Sequence, residues 1–461
     1  MNIRVVNHRS ICSLVVVTIV LAARITSLAD DQAFLAWAKT PPMGWNSYDA
    51  FGSSVTEAEL LANATYIKEK LLPSGYNTVV VDFRWADSTA ANYDPNGIGG
   101  LLVADEFGRL LPSPARFPSA ADGRGFKSLA DKVHALGLMF GIHVMRGIPK
   151  QSVKANTPIA GSKFKAMNAA NTNSTCKWCK DMWGIDAAKP AGQDYYDSIL
   201  RLYASWGVDF VKVDDLSQPY HTEEIEAVRR AIDKCGRPMI FSTSPGQTPV
   251  DQAAHIATHA NMWRISSDFW DKWSSLDRAF DLAAEWQDVA GPGHWPDGDM
   301  LPLGRIGIRS VGKDRLSHFT KDEQVAMMSL WALMPSPLML GGNQPDNDAW
   351  TLALITNPAM LAINQDPLGK PGRRAFKKNR AEVWVRDLQD GGKAVGLFNR
   401  GETNAVVTLN AREAGLVANG PYRIKNVWTG ETPGTLGADL AVPVPKHGAV
   451  LLKLSRPPLA R

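Results

Sequence analysis

Eight short apolar runs, separated by stretches long enough for helices, recur between Asn46 and Gly342 and limit what this chain can fold into. They read MGWNSY from Met43, TVVVD from Thr78, MFGIHV from Met139, DFVKVDD from Asp209, MIFSTS from Met239, MWRISSD from Met262, GHWPDGDM from Gly293 and PLMLGG from Pro337. Strands joined by helical crossovers, such as residues 56–70 and 222–234, run parallel in one sheet. Two architectures satisfy that pattern, an open doubly wound sheet and a closed barrel. No GxGxxG follows the first strand, which removes the main reason to choose the open dinucleotide-binding sheet. The expected fold is therefore α/β, a (β/α)8 TIM barrel.

After INQDPLGKPG, at residues 363–372, the texture changes to EVWVRDL, a QDGG turn, KAVGLFN, AVVTLN, YRIKNVWTG and AVLLKLS. Short alternating strands at hairpin spacing predict a C-terminal antiparallel β-sandwich. The expected organisation is a signal peptide over 1–29, the barrel over 30–368 and the sandwich over 369–461. The signal peptide is read from Arg4 and Arg9 ahead of the apolar run 11–23, followed by the small-residue pattern Ser27-Leu28-Ala29. A secreted or periplasmic location follows, with no later segment apolar for long enough to cross a membrane. Of the four cysteines, Cys12 would leave with that peptide; Cys176 and Cys179 of the CKWC run could form a small local disulfide, but a structural or incidental role for Cys176, Cys179 and Cys235 is the favoured reading. A net charge of +4, with its lysines and arginines scattered, gives no stripe for a nucleic-acid partner.

The polar residues fall where a parallel barrel collects its chemistry, at the carboxyl ends of its strands. Side chains alternate along a strand, so Phe210, Lys212 and Asp214 share one face while Val211, Val213 and Asp215 share the other. Asp82, His143, Arg264, Asp268, Asp297 and Asp299 close other runs in the same way. Together they describe an acidic pocket, expected to be rimmed by Trp45, Trp85, Trp263, Trp270 and Trp295. Carboxylates that bond hydroxyls and aromatic rings that stack on a pyranose face suit a carbohydrate. Two carboxylates flanking a glycosidic bond are the minimal machinery for its hydrolysis. Asp214, beside Lys212, suits a nucleophile; Asp268, four residues after Arg264 where the chain leaves its strand, suits the general acid and base.

The motifs TPPMGWNSY, WGVDFVKVDD, GPGHWPDGDML, PSPLMLGGN and LAINQDPLG, in that order from Thr40 to Gly369, resemble glycoside hydrolase family 27, the α-galactosidase and α-N-acetylgalactosaminidase family. The resemblance implies a retaining exo-glycosidase with a (β/α)8 barrel, a C-terminal β-sandwich, a carbohydrate substrate and no metal or other cofactor. It assigns Lys212 and the nucleophile Asp214 to the family's K-x-D strand, and Arg264 and the acid/base Asp268 to its R-x-x-x-D segment. It also implies that Trp45 stacks on the sugar and that Asp82 and Asp299 bind it.

Four departures touch the same pocket. Phe83 stands where family α-galactosidases have a second consecutive aspartate, His143 where a tyrosine is usual, and Leu216 where a cysteine follows the nucleophile strand. The loop STSPGQ from Ser242, with Ser244 as a candidate contact, replaces the family's Cys-Glu-Trp pattern that reads the sugar 2-position. The family's paired aspartates hold the axial 4-hydroxyl and the 6-hydroxymethyl of galactose. β-L-Arabinopyranose has the same ring stereochemistry without the hydroxymethyl, and arabinopyranosidases occur in the family, so Phe83 opens that alternative. Two other classes compete with a glycosidase. A non-catalytic sugar-binding barrel would need neither Asp214 nor Asp268 in its role. A metal-dependent barrel lyase would need ligands where Lys212 and Arg264 supply positive charge.

Overall fold

Continuous burial along the apolar runs, on both faces of their strands, organises the computed structural model, which describes residues 32–90, 102–417, 420, 422–434 and 436–455. The expected signal peptide and Cys12 lie outside the described residues. The barrel strands are β1 (Met43–Asn46), β2 (Thr78–Val81), β3 (Met139–Met145), β4 (Phe210–Asp214), β5 (Ile240–Thr243), β6 (Met262–Arg264), β7 (Trp295–Asp297) and β8 (Leu338–Leu340). They pair in parallel in the order β7-β6-β5-β4-β3-β2-β1-β8. A parallel bridge from Leu301, just past β7, to Leu340 of β8 joins the two ends.

Register places each functional strand end at one level. Val81 of β2 faces Ile142, and His143 and Met145 of β3 face Lys212 and Asp214 of β4. Within β4, Phe210 joins Val80, Ile240, Met262, Trp295 and Met339 in an apolar cluster, whereas Val211 and Val213 belong to the larger core shared with the helices. The first set fills the barrel interior and the second packs outward, as strand alternation requires. The interior cluster closes the barrel beneath the polar strand ends. Trp295 is pinned there by its indole N–H, which donates to the Ala38 carbonyl at 2.8 Å.

The principal helices cover the strands in sequence. They are α1 (Glu57–Tyr66), α2 (Lys127–Ala135), α3 (Pro190–Trp206), α4 (Thr222–Lys234), α5 (Trp273–Glu285) and α6 (Lys321–Leu333). α1 begins at Thr56, whose hydroxyl accepts from the Glu59 backbone N–H while the Glu59 side chain accepts from the Thr56 N–H. This reciprocal cap satisfies two of the donors that a helix start leaves free. Thr320 and Glu323 repeat it at α6. None of the helices among the described residues is long and apolar enough to cross a membrane.

Between β3 and α3, two-residue strands at Ile148–Pro149 and Ala170–Asn171 flank Met182–Ile185 in a small antiparallel sheet. The segment leading into Met182–Ile185 carries Cys176, Trp178 and Cys179. The cysteines are free and buried rather than joined in a disulfide, and both pack against Phe83. Cys235 is also free.

From Arg373 the chain forms β9 (Arg373–Lys378), β10 (Ala381–Asp387), β11 (Lys393–Asn399), β12 (Ala405–Asn410), β13 (Arg423–Asn426), β14 (Asp439–Val444) and β15 (Ala449–Ser455). A five-stranded antiparallel sheet, β9-β10-β11-β15-β13, lies against the β12-β14 pair. Val383, Val385, Val395 and Leu397 face that pair, while Trp384, Ala394, Phe398 and Leu451 face the barrel core. The larger sheet is thus buried on both sides. Across its barrel face, the Arg400 guanidinium reaches Glu382 at 2.5 Å and Asp277 and Asp281 of α5 at 2.6 and 3.2 Å.

Candidate active site

The strand ends of the barrel surround a pocket of about 310 Å³. β1 and β2 contribute Tyr48, Asp49, Asp82 and Phe83 through the turns that follow them; β4 contributes Lys212 and Asp214. The loop after β5 adds Ser244, Pro245 and Gly246, and the chain from β6 adds Arg264, Ser267, Asp268, Phe269 and Trp270. Asp299 and Met300 come from the end of β7, and Trp178 from the inserted segment.

Two cations organise the carboxylates. Lys212 Nζ lies 3.0 Å from Asp82 Oδ2, and Asn46 Nδ2 donates to the same oxygen at 2.6 Å. Burial alone would raise the Asp82 carboxyl, but Lys212, His143 and these hydrogen bonds outweigh it and hold it far below the ordinary value. Arg264 Nη2 lies 2.7 Å from Asp299 Oδ2 and 3.4 Å from Asp268 Oδ1. Burial, with Asp268 and Asp297 as like-charged neighbours, pushes Asp299 up to about 7 against the pull of Arg264.

Asp214 has a different partner from the one its sequence neighbour suggested. His143 Nε2 sits 3.0 Å from Asp214 Oδ2, and the Asp215 backbone N–H donates to Oδ1 at 3.1 Å. Burial pushes the Asp214 carboxyl up, but the His143 hydrogen bond and the charges of His143 and Lys212 prevail and hold it below its usual range. Lys212 therefore acts on Asp214 through charge, while its hydrogen bond goes to Asp82. Asp268 stands at the mouth, its side chain 65% exposed, in contrast to the 14% of Asp214 below. A recessed carboxylate below and an accessible carboxyl above make an arrangement suited chemically to an inner nucleophile and an outer proton donor.

Backbone geometry supports this arrangement. Arg84, Asp215 and Asp299, each just beyond a barrel strand, have φ of 63°, 64° and 94°, left-handed values that non-glycine residues seldom adopt. Such conformations concentrate at functional sites when the surroundings over-determine them. Asp215 turns away from the pocket into a buried pairing with Arg146 at 2.7 Å, and Arg146 also reaches Glu224 of α4 at 2.6 Å. Gly246 has no room for a side chain, because a Cβ there would overlap the Ser266 carbonyl. The loops after β5 and β6 therefore meet backbone to backbone.

Of the expected site residues, Asp82, Phe83, Lys212, Asp214, Ser244, Arg264, Asp268 and Asp299 line the pocket together. Two do not. Trp45 is fully buried, packs edge-on against Phe51 at 6.4 Å and donates its indole N–H to the Gly342 carbonyl at 2.7 Å. Its position in β1 turns it toward the outer core, so it offers no face to a ligand. His143 is buried behind Asp214 and does not line the cavity. The expected tryptophan rim is also corrected, because Trp85 and Trp263 pack in the outer core and Trp295 in the barrel interior. Trp270 remains, joined by Trp178, whose ring meets Phe83 edge-on at 5.7 Å.

Sequence reasoning missed Trp178, carried by a short insertion, and Asp49. The latter follows β1 as Asp82 follows β2, so the rule that selected carboxylates beyond strand ends could have found it.

Known proteins match over most of the chain. Residues 181–366 match the sequence profile described as alpha galactosidase A, and residues 378–454 the profile of the alpha galactosidase C-terminal beta sandwich domain. The alpha-galactosidase A of Cellvibrio japonicus is 30% identical over 95% of this chain and 97% of its own length. The alpha-N-acetylgalactosaminidase of Rattus norvegicus is 31% identical over 78% of this chain and 77% of its own. Among solved structures, a family 27 β-L-arabinopyranosidase from Geobacillus stearothermophilus is 47% identical, with a TM-score of 0.89, covering 93% of this chain and 99% of that one. A variant of that enzyme was solved in complex with arabinose.

Proposed function

Because this chain belongs to glycoside hydrolase family 27, we propose that it is an exported, retaining exo-glycosidase that releases terminal β-L-arabinopyranose, with α-D-galactosides as the stereochemically equivalent second substrate. Phe83 carries the choice of sugar. Its ring lines the pocket between His143 and Trp178, at ring centroid distances of 5.4 and 5.7 Å. An apolar wall there gives an exocyclic hydroxymethyl no hydrogen-bond partner, and a pentopyranose has none to satisfy. The likeness to an arabinopyranosidase at 47% identity supports the same reading.

In the proposed mechanism Asp214, held ionised by His143 and Lys212, attacks the anomeric carbon from within the pocket. Asp268, at the mouth where the leaving group lies, donates a proton to the departing oxygen. The glycosyl–enzyme ester is then hydrolysed by water that Asp268 deprotonates, and two displacements retain the anomeric configuration. Lys212 and Arg264 fix the carboxylates that bind the sugar. Having given up its proton in the first displacement, Asp268 is the base that the second requires.

Hydrolysis of nitrophenyl β-L-arabinopyranoside, α-D-galactopyranoside and α-N-acetylgalactosaminide by the purified protein tests the reading. The arabinopyranoside should have the highest kcat/KM. An Asp214→Asn variant should fold and lose at least ~10³-fold in kcat, as removal of other essential nucleophiles does. A galactosaminide preference would reject the sugar assignment, and an active Asp214→Asn variant the mechanism.

A further inference from the structure

Asp49 lines the pocket from the turn after β1. The other lining carboxyls each have a partner: Lys212 and Asn46 for Asp82, His143 for Asp214, and Arg264 for Asp268 and Asp299. Asp49 has no hydrogen bond or ion pair to its side chain among the described residues. Its Oδ2 is sealed from solvent without a partner, against Gly341, where a Cβ would overlap it. That leaves Oδ1 as the oxygen by which this pocket-lining carboxyl can be reached. A pocket-lining acid with no protein partner is open to a ligand hydroxyl.

The charge balance fixes its form. Five carboxyls line the pocket, Asp49, Asp82, Asp214, Asp268 and Asp299, against the two cations Lys212 and Arg264. The charges that act on Asp49 are Asp299, Asp268 and Asp82, which oppose its ionisation, and Lys212, which favours it; Arg315 faces it from outside the pocket. Burial comes first among these influences, and the carboxyl is raised well above its usual value. Among the described residues no hydrogen-bond donor reaches the carboxyl, and burial with three like charges outweighs Lys212, a balance that favours the neutral acid.

We propose that Asp49 is a substrate-contacting residue whose carboxyl, carrying its proton, donates a hydrogen bond to a ring hydroxyl of the bound sugar. The inference rests on the pocket taking a galacto-configured pyranose. It adds a contact, from the turn after β1, to those expected from Asp82 and Asp299.

Calorimetric titration of L-arabinose and D-galactose into the parent protein, Asp49→Asn and Asp49→Ala tests it. The amide of Asn can donate from the same place, so Asp49→Asn should bind within about threefold of the parent. Asp49→Ala should bind about tenfold more weakly, the loss of one well-placed hydrogen bond. Asp49→Ala should not lower the melting temperature, since it removes an unsatisfied buried polar group. Parent-like binding by Asp49→Ala, or equal losses in both variants, overturns the role of the acid while leaving the sugar pocket standing. Failure of the parent to bind either sugar overturns both.

Discussion

In the proposed mechanism, His143 is the main influence that keeps Asp214, against its burial, ready to serve as a nucleophile. Because His143 depresses its carboxyl, removal of the ring should raise it, and the acidic limb of kcat/KM against pH should move to higher pH in His143→Phe. A limb that stays in place would mean that Lys212 suffices. Phe83 makes the complementary prediction on specificity. Phe83→Asp should shift the ratio of kcat/KM values from arabinopyranoside toward galactopyranoside by about tenfold or more, measured on the two nitrophenyl glycosides. At this scale the sequence was readable wherever function sits at a strand end. Asp82, Lys212, Asp214, Arg264 and Asp299 were found by alternation and by their position after apolar runs. The tryptophans were misplaced because ring type says nothing about which side of a strand an indole takes. Strand alternation turns Trp45 and Trp263 toward the outer core.

Elements around the nucleophile strand hold it through buried charge. Arg146, beyond β3, joins Asp215 at the end of β4 to Glu224 on α4, and Tyr196 of α3 adds a hydroxyl to Glu224 at 2.5 Å. Arg146→Met would strand two buried carboxylates, a loss of about 3–5 kcal/mol of the kind seen when one member of a buried pair is removed. Denaturant unfolding should register it, and a loss under ~1 kcal/mol would show that the acids neutralise themselves by protonation. The eight barrel strands and α4 were visible in the sequence because each is a continuous apolar or periodic run. The small sheet that positions Trp178 was not, since two-residue strands such as Ile148–Pro149 carry no period to detect. In the C-terminal β-structure, Arg373–Lys378 and Asp439–Val444 were missed, the first because it is largely polar, the second because Pro443 interrupts its alternation.

Over the whole molecule, barrel and C-terminal sheet are coupled by an acid-sensitive contact. Burial, the largest single influence, raises the Asp281 carboxyl, but hydrogen bonds and charge from Arg400, Arg374 and Lys377 together overcome it and hold it well below its unfolded value. A depressed folded pKa gives stability that is complete above the unfolded value, about 3.9, and is lost as pH falls below it. Stability should therefore drop between pH 5 and pH 2 less steeply in Arg400→Met than in the parent, as read from denaturant midpoints. Equal slopes would exclude this contact as the origin. The apolar layer formed by Val80, Phe210, Ile240, Met262, Trp295 and Met339 has a kinetic counterpart. In the proposed exo-glycosidase, a pocket floored in this way is entered from the strand ends. An aglycone leaving first then clears the way for water, and the freed monosaccharide is the last to depart. Monosaccharide should then inhibit in competition with substrate, because it occupies the same dead end that the next substrate must fill.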